Sequence, residues 1–309
     1  MNFWEYVFTP SFAYSVIRVS TPLVLATLGV VITSKAGITN IGMEGVMLTS
    51  ALAAVFGSAF SGNIWVGLLA AILCGIAASL LLGYLSMQLK VDGALACIVF
   101  NNMAIGGTVF AMYTVTQDKG NTISLHSGSL PQIQIPILKE IPVLGEIFSN
   151  HNVLSYAALL LTVVICVLLS KTALGLRIQA AGEAPQALSS VGVDLKTVRY
   201  TALGISGLLG GIGGAFMSMG YVSWFSRDMV AGRGFIALAA DAMGNSNPVG
   251  AVLSAMLFAM AEALSFTLQT TSIPPELVQM LPYLVTIIGL ITYSIKKSRS
   301  RSGKSIVSN

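Results

Sequence analysis

The chain has 309 residues, of which 55% are hydrophobic and 9% charged, with a mean hydropathy of +0.82. That composition lies far outside the range of soluble globular domains and excludes both an aqueous enzyme and a disordered chain. With 16 basic and 12 acidic residues the net charge is +4, a small excess that bears on membrane topology rather than on nucleic-acid binding.

Segments long and apolar enough to cross a bilayer recur along the whole chain. The start, MNFWEYVFTP, contains Glu5 and lacks a basic leader, so no cleavable signal peptide is expected. The first span is predicted over 11–32, with Arg18 in its outer part snorkelling outward. A second segment, 38–60, has Asn40 and Glu44 bracketed by Gly37, Gly42 and Gly45 and is predicted to be broken or re-entrant. Spans follow at 64–87 and 94–116, the latter carrying Asn101 and Asn102 side by side. Two adjacent amides in mid-span serve either a polar solute or a neighbouring helix.

Residues 117–150 form the longest segment outside the membrane. Pro131, Pro136 and Pro142 alternate there with isoleucines, which predicts extended chain ending in a short interfacial helix near Leu144–Phe148. It either receives a substrate-delivery protein or caps the outer helix ends. The span at 152–170 leads into a compact polar loop, 171–196, carrying Lys171, Arg177 and Lys196, with Arg199 just beyond. Its centre, Gly182 to Ala187, is predicted as a short helix with Glu183 and Pro185 in its first turn. Such a protrusion suits a docking surface or an ordinary helix connection. In the next span, 197–220, Gly207 and Gly211, then Gly210 and Gly214, stand at GxxxG spacing and predict close helix packing.

Segment 232–247, with Asp241 between Gly234 and Gly244, is the second predicted broken helix. Spans at 248–270 and 277–295 and a basic tail at 296–309 follow. The expectation is an all-α integral membrane protein, one domain over 1–309, with about nine membrane segments in a range of 8–10. If the tail is cytoplasmic, alternation puts Lys35, Lys90 and the 171–199 loop on the same side, and the N-terminus outside. Lys119, Lys139, Arg227 and Arg233 then fall on the opposite side among Asp118, Glu140, Glu146 and Asp228.

Intramembrane chemistry is sparse. Glu44, Asp241 and Glu262 are the acids within spans, and each needs a partner or a wet cavity. Cys74, Cys97 and Cys166 lie in apolar spans at no metal-ligand spacing and read as small buried hydrophobes. HExxH, CxxC and GxSxG are absent. Gly303-Lys304-Ser305 lacks the glycine a P-loop needs five positions earlier, where Ser298 stands, so this chain is not expected to bind ATP.

NIGMEG at Asn40–Gly45, with the small-residue span that follows it, resembles the second segment of the permeases in ribose-type ABC importers. GLRIQAAGEAPQALSSVGVD, from Gly175 to Asp194, resembles the cytoplasmic coupling region of that family, where a glycine, a polar pair, an alanine-rich helix and a later Gly-Val recur in order. The external PQIQIPILKEIPVLGEIF and the NPVGA that opens the eighth span are most similar to the nucleoside-importing branch.

The resemblance implies an ABC importer transmembrane domain that carries a nucleoside, or alternatively a simple sugar such as ribose. It implies coupling through Gly182, Glu183, Ala184, Pro185, Gln186, Ala187 and Gly192, while the polar groups within the spans make Asn40, Glu44, Asn101, Asn102 and Asp241 the candidates for a translocation path or for bonds between helices. The implied partners are a second, homologous permease, two ATPase domains and an extracytoplasmic binding lipoprotein, in a prokaryotic plasma membrane. No cofactor is expected on this chain; ATP and Mg would be used by the ATPase subunits. The competing class is an ATP-independent secondary transporter, which would need a protonatable relay among the three buried acids.

Overall fold

A computed structural model describes residues 9–134, 144–269, 280, 284–289, 291–292 and 295. In chain order the elements are α1 (Pro10–Lys35), α2 (Met43–Ser61), α3 (Ile64–Met87), α4 (Gly93–Thr116), strand β1 (Gln132–Ile133), α5 (Leu144–Phe148), strand β2 (His151–Asn152) and α6 (Val153–Lys171). Then come α7 (Ala173–Glu183), α8 (Pro185–Ser190), α9 (Leu195–Ala215, continued by a π-helical turn over Phe216–Tyr221), α10 (Arg233–Met243) and α11 (Pro248–Leu268). Among the described residues seven of these helices are long and apolar enough to cross a membrane: α1, α2, α3, α4, α6, α9 with its π turn, and α11.

The difference from the expected nine has two sources. With 11 residues, α10 rises about 16 Å, half of a hydrocarbon core about 30 Å thick. The span expected at 277–295 is described only in part, and residues 1–8, 135–143 and 296–309 lie outside the described residues. The expected interruption of α2 is also displaced. That helix is continuous from Met43, and the break precedes it at residues 36–42, where Gly37 takes φ +75°. A left-handed backbone there turns the chain sharply after α1, which glycine permits without strain.

Most long helices begin at a short polar side chain that accepts a backbone N–H of the first turn. Asn63 accepts from Trp65 N at 2.9 Å, Asp92 from Leu95 N at 2.9 Å, Asn152 from Leu154 N at 3.0 Å and Asn247 from Val249 N at 3.1 Å. Asp194 does the same for α9. The Thr197 hydroxyl and the N–H groups of Lys196 and Thr197 hold its carboxyl below the usual carboxylate range.

The centre of the bundle is α1 and α9, 89% and 83% buried, while α3 and α6, the more apolar pair, are 28% buried and form the rim. Lipid tails solvate a leucine as well as a protein core does, so the interior of a membrane bundle selects small residues rather than the most apolar ones. The glycines of α9 show this on two faces. A Cβ at Gly207 would overlap the Gly75 carbonyl oxygen of α3, and one at Gly211 would stand 2.8 Å from the Ala71 oxygen. On the other face Gly210 abuts Met43, and Gly214 abuts Met47 and Ala51, all on α2. Gly207→Ala should force α3 and α9 apart and destabilise the chain by about 1–3 kcal/mol, read as a lower melting temperature of the purified protein.

Beyond the helix ends, β1 pairs antiparallel with β2, Gln132 opposite Asn152 and Ile133 opposite His151. The His151 ring stacks on Tyr14 at 4.2 Å, and its burial pushes the imidazole below its ordinary value. Thr122 and Phe225 exchange hydrogen bonds, Thr122 N to Phe225 O at 2.9 Å and Phe225 N to Thr122 Oγ1 at 2.8 Å. This ties the segment after α4 to the one before α10. Arg18, expected to snorkel, instead donates to the Tyr221 carbonyl at 2.7 Å and lies 4.3 Å over its ring, closing the π turn of α9.

Candidate functional site

Besides the short α8, which follows Ala184, two helices lack a polar residue at their start. Gly42 precedes α2 and Gly232 precedes α10, and neither offers a capping side chain. Both starts are buried, and an unpaired buried N–H costs about 1–3 kcal/mol. Both are therefore capped from elsewhere in the fold. Asn101, on α4, accepts the Gly45 N–H through Oδ1 at 2.9 Å and donates through Nδ2 to the Ile41 carbonyl at 3.1 Å. One amide thus closes the break before α2 from both sides.

Glu44 caps α10. Its carboxylate takes the Gly232 N–H on Oε1 at 2.8 Å and the Gly234 N–H on Oε2 at 2.7 Å. A carboxylate at the positive end of a helix, held by two N–H donors, is stabilised by both hydrogen bonding and the helix dipole. Gly232 has φ +81°, which turns the chain so that both donors face the acid. A Cβ at Gly234 would overlap the Glu44 backbone nitrogen, so α10 starts in direct contact with α2.

The opposite end of α10 is also held. Asp241 accepts from the Ser34 hydroxyl of α1 at 2.6 Å and from Ser246 at 3.4 Å. At its start Arg233, expected on the outer side, is buried: its guanidinium pairs with Glu262 of α11 and donates to the Val230 and Met229 carbonyls at 3.0 and 3.3 Å. The burial has a physical cause, since an acid and a base within apolar helices lower each other's desolvation cost by pairing. Asn40 donates to the Ser206 hydroxyl of α9 at 3.2 Å.

Of the five residues expected along a path, Asn40, Glu44, Asn101 and Asp241 are buried and hydrogen-bonded to neighbouring elements. Asn102 differs. It lies on the exposed face of α4 among Ile98, Val99, Met103 and Phe110, where Gly106 and Gly107 have open space beside them. An amide on so apolar a face is unfavourable against lipid and favourable against a partner helix or a wet path.

The polar loop is two helices rather than one. Glu183 ends α7 and Pro185 opens α8, with Ala184 between them at φ −145°, ψ 67°. The expected single helix over Gly182–Ala187 is split because proline excludes helical backbone at the residue before it. Glu183, Ala184, Gln186, Ala187 and Gly192 are exposed, and Ile178, Ala181 and Leu188 anchor the pair from beneath. Gly182 packs against the end of α1: a Cβ there would overlap the Lys35 carbonyl oxygen and lie 2.9 Å from Gly37 N. Arg199 of α9 donates to the Ala36 carbonyl at 3.3 Å. Ser34, Arg199 and Arg233 had no local sequence signal as site residues; Glu262, flagged only as an acid in a span, was the one pointer to Arg233.

Residues 12–290 match the protein family described as branched-chain amino acid transport system, permease component. The guanosine ABC transporter permease protein NupQ of Bacillus subtilis is 34% identical over 282 residues, 88% of each chain. The nucleoside ABC transporter permease protein NupC of Lactococcus lactis is 33% identical over 285 residues, 89% of each chain. A second guanosine permease of the same Bacillus strain, NupP, is 27% identical over 91% of this chain and 81% of its own. Among solved structures, one described as an inward-facing ABC transporter of metal-chelate type aligns over 93% of this chain and 88% of its own, with a TM-score of 0.52 at 17% identity. That likeness concerns the fold alone.

Proposed function

Because the chain belongs to the permease-component family of branched-chain amino acid transport systems, we propose that it forms one half of the membrane path of an ATP-driven importer whose cargo is a nucleoside. It is a multi-pass membrane protein of the ABC permease type. The observation that carries the cargo is the pair of relatives at 34% and 33% identity over nearly nine-tenths of the chain, both named for guanosine or nucleoside transport. NupP and NupQ occur in one organism, which supports a second, different permease as the partner.

In this reading α7 and α8 face the cytoplasm and dock on ATPase subunits that bind ATP and Mg, and an extracytoplasmic lipoprotein delivers the solute. Two permeases enclose the path between them, and α10 with the segment before it is a half-span lining its inner side. Asn102, exposed on α4, offers the path a donor and an acceptor matched to a base or a ribose. Motion of the ATPases on nucleotide binding rocks the bundle between its outward and inward states.

The test is uptake of labelled guanosine by membranes carrying the complete complex. Unlabelled nucleosides should compete, while ribose and glucose should not; competition by sugars alone would move the cargo to the sugar alternative, and uptake without ATP would remove the importer. Asn102→Leu should lower uptake about tenfold, the effect of losing one good polar contact, while leaving the complex assembled. Loss of assembly in that variant would assign Asn102 to the permease contact instead.

A further inference from the structure

Four elements meet where α1 ends. The Lys35 carbonyl and Gly37 nitrogen lie against Gly182 of α7, backbone on backbone, with no side chain between them. Gly37 takes φ +75° to make the turn, and the Gly182 Cα stands 3.1 Å from where its Cβ would be. The Arg199 guanidinium of α9 holds the Ala36 carbonyl between these two residues at 3.3 Å. One residue before them, Ser34 donates to Asp241 in α10 at 2.6 Å, a link across 207 positions of sequence.

The far side of the same turn reaches α10 again. Residues 38–42 lead into Glu44, whose carboxylate caps the Gly232 and Gly234 N–H groups. Thus α10 is pinned at its start by Glu44 and near its end by Ser34, two residues that flank the turn. Close-packed backbone contacts transmit displacement with little slack, since a packed interior has low compressibility. α7 also packs on α6, where a Cβ at Gly175 would overlap the Leu168 carbonyl oxygen, but the turn is where it meets the residues that hold α10 at both ends.

We propose that the Ser34–Gly37 corner is the joint through which movement of α7 and α8 reaches α10, with Ser34, Asp241 and Arg199 as its positioning residues. The proposal rests on the coupling role assigned to α7 and α8 above. It names an element biased from both sides, which is what a mechanical coupling requires. In this reading Ser34 and Asp241 act by fixing where α10 stands when the coupling helices move.

The experiment measures guanosine uptake and ATP hydrolysis together, per assembled complex, in proteoliposomes containing the permeases, the ATPases and the binding protein. Ser34→Ala and Arg199→Ala should lower guanosine carried per ATP at least about fivefold with hydrolysis kept within about twofold, as a weakened coupling contact predicts. Ser34→Thr, which keeps the hydroxyl, should restore the ratio. An unchanged ratio in both alanine variants overturns the joint, and so does a parallel fall of uptake and hydrolysis, which marks a merely structural contact. If Arg199→Ala does not assemble, Arg199→Lys, which keeps the charge and moves the donor, carries the same test. Glu183→Lys, run alongside, separates the two levels. Normal uptake in that variant removes the coupling role itself, whereas its failure beside wild-type ratios in the corner variants removes the joint alone.

Discussion

Glu183→Lys and Gly182→Arg should each reduce ATP-driven uptake to background while the chain stays in the membrane at normal abundance. The two act at different surfaces. Glu183 is exposed at the end of α7, pointing away from the bundle, and makes no ion pair among the described residues. Its reversal therefore leaves the fold intact and alters what an approaching subunit meets. Like charges brought together at an interface cost several kcal/mol, more than 100-fold in affinity.

Gly182 is exposed, but its Cβ position points at the end of α1, and even a methyl group there overlaps the Lys35 carbonyl oxygen. An arginine must lift α7 and α8 off α1, so the docking surface is displaced rather than recharged. Gly182→Ala isolates that steric component. It should impair uptake without changing charge, whereas Glu183→Ala should impair it far less than Glu183→Lys. Uptake, ATP hydrolysis and immunoblotted abundance in the same membranes decide the matter. Unaltered uptake in both Glu183→Lys and Gly182→Arg would dissociate α7 and α8 from energy coupling.

Local chemistry was legible in the sequence, and long-range chemistry was not. The predicted span at 64–87 coincides with α3, and the predicted Leu144–Phe148 helix with α5; for α3 the reason is local, because a cap such as Asn63 acts within one turn of where it stands. The stretches marked by glycines around acids, expected to be broken helices, contain the two helix starts that are capped from elsewhere in the fold. What resolved them lies far away: Glu44 and Gly232 are 188 residues apart, Asn101 and Gly45 are 56 apart, and no periodicity records such pairs. Adjacent positions on a helix point about 100° apart, so Asn101 turns inward to a helix break while Asn102 turns outward, a division the dipeptide alone could not express. Arg233 shows the same limit. Counting bases by side says nothing of its burial, and only packing against α11 brings it to Glu262.

Arg233→Ala should be among the most destabilising single changes in the chain. It leaves Glu262 buried in apolar surroundings without its cation, and removing one partner of a buried pair costs about 3–5 kcal/mol. Glu262→Ala should do comparable harm by leaving the guanidinium unpaired. Both should lower the apparent melting temperature of the detergent-purified protein by roughly 10 °C and abolish uptake through loss of folded chain. The double variant Arg233→Met, Glu262→Leu tells the pair's structural and functional roles apart, since replacing a buried ion pair by apolar residues of similar size is often neutral or stabilising. Recovery should be partial, because the Met229 carbonyl loses the donor it takes from Arg233. If stability returns and uptake returns with it, the pair only anchors the start of α10. If stability returns while uptake stays absent, the pair is needed to hold α10 in register during transport. Single variants that melt as the parent does would show that water reaches these charges, and with it that the start of α10 is not closed off by α11.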